Sequence, residues 1–121
     1  MMRFLTSLRH AANGIVWALR TQANLRIHLA ATLLVTAAGI VSGLPAWKWC
    51  VLLLAFGLVW MAELLNTALE MLCDRVSGEL EESIRRIKDV GAGAVLAASL
   101  ASLGLGLLVF YESIQNAFFR F

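Results

Sequence analysis

Charged residues fall in blocks along this chain, separated by three long apolar runs. None occurs between Arg26 and Lys48, between Lys48 and Glu63, or between Asp89 and Glu112. A helix that crosses a bilayer needs about 20 mainly apolar residues. The runs 27–47 and 90–111 meet that length unaided, and 49–70 meets it once Glu63 is accepted inside. Ser42-Gly43-Leu44-Pro45 holds the only proline and reads as a turn, so the first two runs are expected to form a helical hairpin. The segment 71–89 is the longest polar stretch, and Gly78 with the acidic cluster after it is expected to break the helix. Ahead of the spans, 1–26 contains Arg3, Arg9, Arg20 and Arg26 and no acid. There Phe4, Leu5, Leu8, Ala12, Ile15, Val16 and Leu19 recur at helical spacing, as in an amphipathic helix lying on a membrane surface. The expected fold is all-α integral membrane: one domain over 1–121, an N-terminal surface helix plus three transmembrane helices, with 112–121 a short outer tail.

Composition narrows the class. Hydrophobic residues make up 60% of the chain and charged residues 15%, against about 45–50% and 25% in soluble domains. A net charge of +2 with no basic run gives no nucleic-acid footprint, and the apolar content excludes disorder. Cys50 and Cys73 would sit roughly 35 Å apart on one helix, too far for a disulfide. With the N-terminus inside, Arg3, Arg9, Arg20, Arg26, Arg75, Arg85, Arg86 and Lys88 lie on the inner side, and only Lys48 and Arg120 outside. The excess of inner positive charge predicts a multi-pass membrane protein with its N-terminus and acidic segment facing the cytoplasm.

The second span carries the candidate chemistry. Glu63, Asn66, Glu70 and Asp74 are spaced i, i+3, i+7, i+11, which places them within roughly 80° on one helix face. A carboxylate at membrane depth costs about 2.5–3.5 kcal/mol on insertion scales, so this stripe needs a use. Glu70 and Asp74 suit a hard cation with oxygen ligands, such as magnesium with ATP. Glu63, the deepest, is placed for a general base. Lys88-Asp89, at the start of the third span, reads either as a phosphate and ribose or metal-water contact or as an interfacial anchor. The third span opens Gly91-Ala92-Gly93-Ala94 and continues with two rows of small residues, Gly93/Ala97/Ala101 and Ala94/Ala98/Ser102/Gly106, which permit close helix packing in lipid. No Walker loop, protein-kinase signature, G-x-S-x-G or C-x-x-C is present.

The pattern Glu63-x-x-Asn66-x-x-x-Glu70-x-x-x-Asp74-Arg75, followed by Lys88-Asp89 and a small-residue span, closely resembles the prokaryotic diacylglycerol kinase/undecaprenol kinase family. The resemblance takes in Arg3 and Gly14 of the surface helix and the Asn24-Leu25-Arg26-Ile27-His28 segment. It implies a membrane homotrimer, with sites shared between neighbouring subunits, that transfers the γ-phosphoryl group of MgATP to a lipid primary hydroxyl. By position, it makes Glu63 the general base, Asn66 its support and Glu70 the metal ligand. It places Arg3, His10, Gln22, Glu70, Glu79, Glu81, Lys88 and Asp89 around the nucleotide. Glu63, Ala92, His28 and Asp74 fall to the lipid substrate. One position departs: where the family usually has a second metal-binding Glu, this chain has Gln22, a weaker magnesium ligand. His28 and its neighbours look more like undecaprenol kinases than proteobacterial diacylglycerol kinases, which tend to carry Glu there. Undecaprenol is therefore the expected acceptor, with diacylglycerol the alternative. A non-enzymatic oligomer and a transport subunit are the readings from other classes; the stripe reaches only the inner half of one helix, which argues against transport.

Overall fold

The computed structural model describes residues 1–76 and 81–119. Four helices account for almost all of them: α1 (Met2–Thr21), α2 (Ala23–Val41), α3 (Ala46–Val76) and α4 (Glu82–Phe118). The last three are each long and apolar enough to cross a membrane. This is the all-α membrane architecture expected of the charge blocks. On α1, Phe4, Leu5 and Leu8 are more than half exposed, as in an interfacial helix whose apolar side is left for lipid.

The junction of α1 and α2 falls at Gln22, four residues before the limit that the charge pattern suggests. Gln22 is extended (φ −102°, ψ 116°) and flanks both helices. Arg26, one turn into α2, reaches back and donates to the carbonyls of Leu19 and Arg20 at 3.2 and 3.1 Å. The last carbonyls of a helix lack partners within it, and a guanidinium with several donors answers two of them. Arg26 is thus a strut of the elbow as well as an interfacial charge.

The α2–α3 hairpin closes as its sequence predicts. Gly43 adopts φ +62°, a conformation that suits glycine. Leu44 N–H bonds to the Gly39 carbonyl at 3.2 Å and Gly43 N–H to that of Ile40 at 3.1 Å, the paired bonds of a Schellman stop. Pro45 follows and starts the chain back into α3.

α3 packs against all three other helices. Leu52, Ala55, Val59, Glu63, Asn66 and Cys73 are buried along it at steps of three, four and seven residues. The acidic stripe is therefore the continuation of the packed apolar face, turned toward the other helices rather than toward lipid. On α4 the buried positions are Gly91, Ala98 and Val109, and Ser102 Oγ donates to the Ala55 carbonyl at 3.0 Å. Ala98 and Ser102 belong to one of the two small-residue rows; Gly93, Ala97 and Ala101 of the other are exposed. Trp60 Nε1 donates to Thr32 Oγ1 at 3.1 Å and pins α2 to α3.

Both long helices outrun their apolar cores. α3 continues helically to Val76, and α4 begins at Glu82 and runs through Phe118. At the N-terminal end of α3, Lys48 is buried and its Nζ donates to Glu112 Oε2 at 2.8 Å. Trp47 nearby is exposed, whereas Trp49 is partly buried, its ring against Gly39.

Candidate functional site

The stripe on α3 runs from dry to wet. Glu63 is 3% exposed, Asn66 7%, Glu70 is half-buried and Asp74 is exposed. Helical spacing alone aligns these four; the packing of α2 and α4 over the first two takes them out of solvent.

Glu63 Oε2 is buried without a hydrogen-bond partner among the described residues. The nearest cationic candidate is His28 Nε2, on α2, at 3.9 Å, beyond hydrogen-bonding range. An unmet buried acceptor costs about 1–3 kcal/mol, more when charged. Such an atom is either a fault in the fold or an atom kept for a ligand. One turn on, Asn66 Nδ2 donates to Glu70 Oε1 at 3.1 Å, while Asn66 Oδ1 is also buried and unpartnered. Two unmet oxygens, three residues apart on one face, mark the site.

Beyond Glu70, Lys88 Nζ on α4 donates to Asp74 Oδ1 at 2.5 Å and ties the two helices where they leave the apolar region. This bond holds the Lys88 ammonium above its ordinary value of 10.5. Lys88 is thus a charged donor already placed beside the carboxylates. Asp89 points elsewhere, with Arg85 at 4.0 Å and both side chains largely exposed.

An apolar groove of about 520 Å³ begins at His28, passes Val59, Ala55 and Val35, and reaches Ile114. Residues of α2, α3 and α4 line it, and its His28 end lies next to Glu63, whose Oε2 is 3.9 Å from His28 Nε2. Hydrocarbon fits such a lining; a polar ligand does not.

The remaining candidates are spread out. Arg3 and His10 lie exposed on the first half of α1. Gln22 sits at the elbow, where its Nε2 donates to Thr21 Oγ1 at 3.4 Å. Glu81 is the exposed residue immediately before α4, Ala92 is exposed one residue past Gly91, and Glu79 lies outside the described residues. The structure therefore brings together Glu63, His28, Asn66 and Glu70 in one cluster and Asp74 with Lys88 in another. Sequence reasoning named Gly91 only as the opening of the third span and gave it no role of its own, yet it abuts Asn66; its place one helical turn past Lys88 was the available signal.

The family model for prokaryotic diacylglycerol kinase matches residues 9–110. The chain belongs to that family. It is 35% identical over 112 residues to an undecaprenol kinase of Bacillus subtilis, covering 93% of this chain and 91% of that protein. It is 41% identical over 103 residues to a diacylglycerol kinase of Synechocystis, covering 84% of this chain and 59% of that longer protein. Membership in the prokaryotic diacylglycerol kinase family makes this a multi-pass membrane protein with lipid-kinase activity at the family level.

Proposed function

We propose that this kinase transfers the γ-phosphoryl group of MgATP to the primary hydroxyl of a membrane lipid alcohol, with undecaprenol preferred over diacylglycerol. The observation that carries the reading is the buried Glu63 Oε2, without a hydrogen-bond partner among the described residues, next to His28 at one end of an apolar groove. A lipid alcohol lying in the groove brings its hydroxyl to Glu63. The hydroxyl oxygen attacks the γ-phosphorus, its proton passes to Glu63 Oε2, and the bond from phosphorus to the ADP oxygen breaks. Such a transfer depends on positioning and charge neutralisation more than on covalent help from the protein. His28, held close by, steadies the carboxylate and borders the acceptor.

Magnesium takes oxygen ligands, commonly one or two carboxylates together with substrate phosphates. Glu70, half-buried and oriented by Asn66, fits that demand. Among the described residues no group of three His, Cys, Asp or Glu side chains stands ready as an all-protein cage. When bound, magnesium supplies neutralisation of phosphate charge. Gln22 offers its carbonyl as a weaker second ligand. Lys88, Asp89, Arg3, His10, Glu79 and Glu81 form the surround of the nucleotide, with Asp74 and Ala92 on the lipid side.

Three spans are too few to enclose ATP and a lipid together, which supports a homotrimer with sites completed by neighbouring subunits. The excess of Lys and Arg on one side supports a cytoplasmic active site and N-terminus. Near-complete coverage of the Bacillus undecaprenol kinase favours undecaprenol; the higher identity to the Synechocystis diacylglycerol kinase favours the alternative. The deciding experiment presents both lipids to the purified protein in parallel with γ-labelled ATP and magnesium. Faster labelling of undecaprenol supports the preference, and faster labelling of diacylglycerol reverses it. No transfer to either lipid rejects the kinase reading.

A further inference from the structure

α4 comes close to the stripe at Gly91. This residue is buried, and a β-carbon placed on it would overlap Asn66 Oδ1 and lie 3.0 Å from Leu69 Cδ2. Gly93, two positions along the same helix, has open space where its β-carbon would be. The contact at Gly91 therefore belongs to that residue and is not a general property of the glycines on α4.

Asn66 has one workable orientation here. Its amide presents an oxygen on one edge and an NH2 on the other. The NH2 must face Glu70, because the oxygen would repel a carboxylate; the oxygen is then left toward α4. With Nδ2 bonded to Glu70, Oδ1 meets Gly91 and nothing that donates to it. A planar amide moves as a unit, so pressure on Oδ1 swings Nδ2 off Glu70.

We propose that Gly91 is a positioning residue for nucleotide binding: by lacking a side chain it lets Asn66 hold Glu70 in the orientation that receives the magnesium–phosphate group. The proposal rests on the reading of Glu70 as the residue that meets MgATP. Its effect passes through Asn66, and this coupling sets it apart from simple helix packing.

The test measures binding of a non-hydrolysable ATP analogue with magnesium to the detergent-solubilised protein by calorimetry, beside a thermal melt without nucleotide. Gly91→Ala is expected to weaken binding about tenfold, the worth of one hydrogen bond to a charged group. Gly93→Ala is expected to bind as wild type. Asn66→Ala is expected to weaken binding to a similar degree, and Gly91→Ala added to it to cost little more, because the amide is already gone and only the flexible end of Leu69 has to yield. Wild-type affinity in Gly91→Ala, or an equal further loss in the Asn66→Ala background, overturns the proposal. If Gly91→Ala does not fold, Asn66→Ser is added to it to make room. Recovery of the fold without recovery of affinity then supports the coupling; recovery of both, or of neither, overturns it. A wild-type protein that binds no analogue rejects the nucleotide site itself and the proposal with it, an outcome distinct from an inert Gly91 substitution.

Discussion

Lys48 and Glu63 lie on the packed face of α3 and are equally shielded, at 4% and 3% exposed. Lys48 bonds Glu112 at 2.8 Å, whereas Glu63 has His28 at 3.9 Å and an oxygen with no hydrogen bond among the described residues. The first arrangement is complete within the chain. Burying charge is tolerable when it is paired and hydrogen-bonded, and here the partner reaches in from the far end of α4. The second is incomplete, and the fold bears the cost of a buried oxygen kept open. A buried ionisable side chain in a membrane helix is thus structural when answered and a candidate for chemistry when not.

The largest test of this contrast is Glu63→Gln. A general base contributes about 10²–10⁴ in rate, so lipid phosphorylation by the variant should fall by that order. Its melting temperature in detergent should hold or rise, since a buried charge has been removed. A variant with full turnover would place the base elsewhere. Next in size is Glu70→Ala, which should raise the magnesium concentration for half-maximal activity by about tenfold or more; an unchanged magnesium titration would remove Glu70 from the metal site.

At the other end the signs differ. Glu112→Gln leaves Lys48 buried with its best partner lost, so the melting temperature should drop by a few degrees while kcat stays at the wild-type value. Lys48→Met, which removes the buried charge and keeps the apolar length, should be close to neutral in the melt. Equal damage to kcat at both ends would erase the distinction.

The smallest effect is in the pH dependence. The Lys48 ammonium holds the Glu112 carboxyl below its ordinary value of 4.5. A lowered carboxyl contributes stability that is fully present above its unfolded value and is lost as pH falls through the folded one. The difference in melting temperature between wild type and Glu112→Gln should therefore be complete above pH 4.5 and close on further acidification. A gap that persists in strong acid would show that the ion pair is not its cause.

Much of this was legible in the sequence. The blocks of charge marked the spans, Gly43 and Pro45 marked the hairpin, and four polar residues at helical spacing marked the stripe. Periodicity could say that Glu63, Asn66, Glu70 and Asp74 share a face, but not what covers it. That depends on α2 and α4, distant in sequence. Lys48 counted in the sequence only as one of two outer positive charges; its partner is 64 residues away, and such pairs emerge only once the hairpins are closed. The elbow was misplaced for a related reason. Arg26 counts as surface charge by type, while its use is to bind carbonyls of the preceding helix. The polar residues after 111 suggested a tail, yet none of those through Phe118 is a Gly or Pro that would stop a helix, and α4 continues.

The length of α3 has a consequence of its own. Its 31 residues make a rod about 46 Å long, against a hydrocarbon layer of about 30 Å. Glu70 lies seven residues on from Glu63, a rise of about 10 Å, more than the roughly 5–7.5 Å headgroup zone on one side of a bilayer. On the function proposed above, one continuous helix would act as a ruler set across the phase boundary, with the oil-soluble reactant registered against one mark and the water-soluble one against another. Its rigidity fixes the distance at which two molecules that never share a solvent can meet.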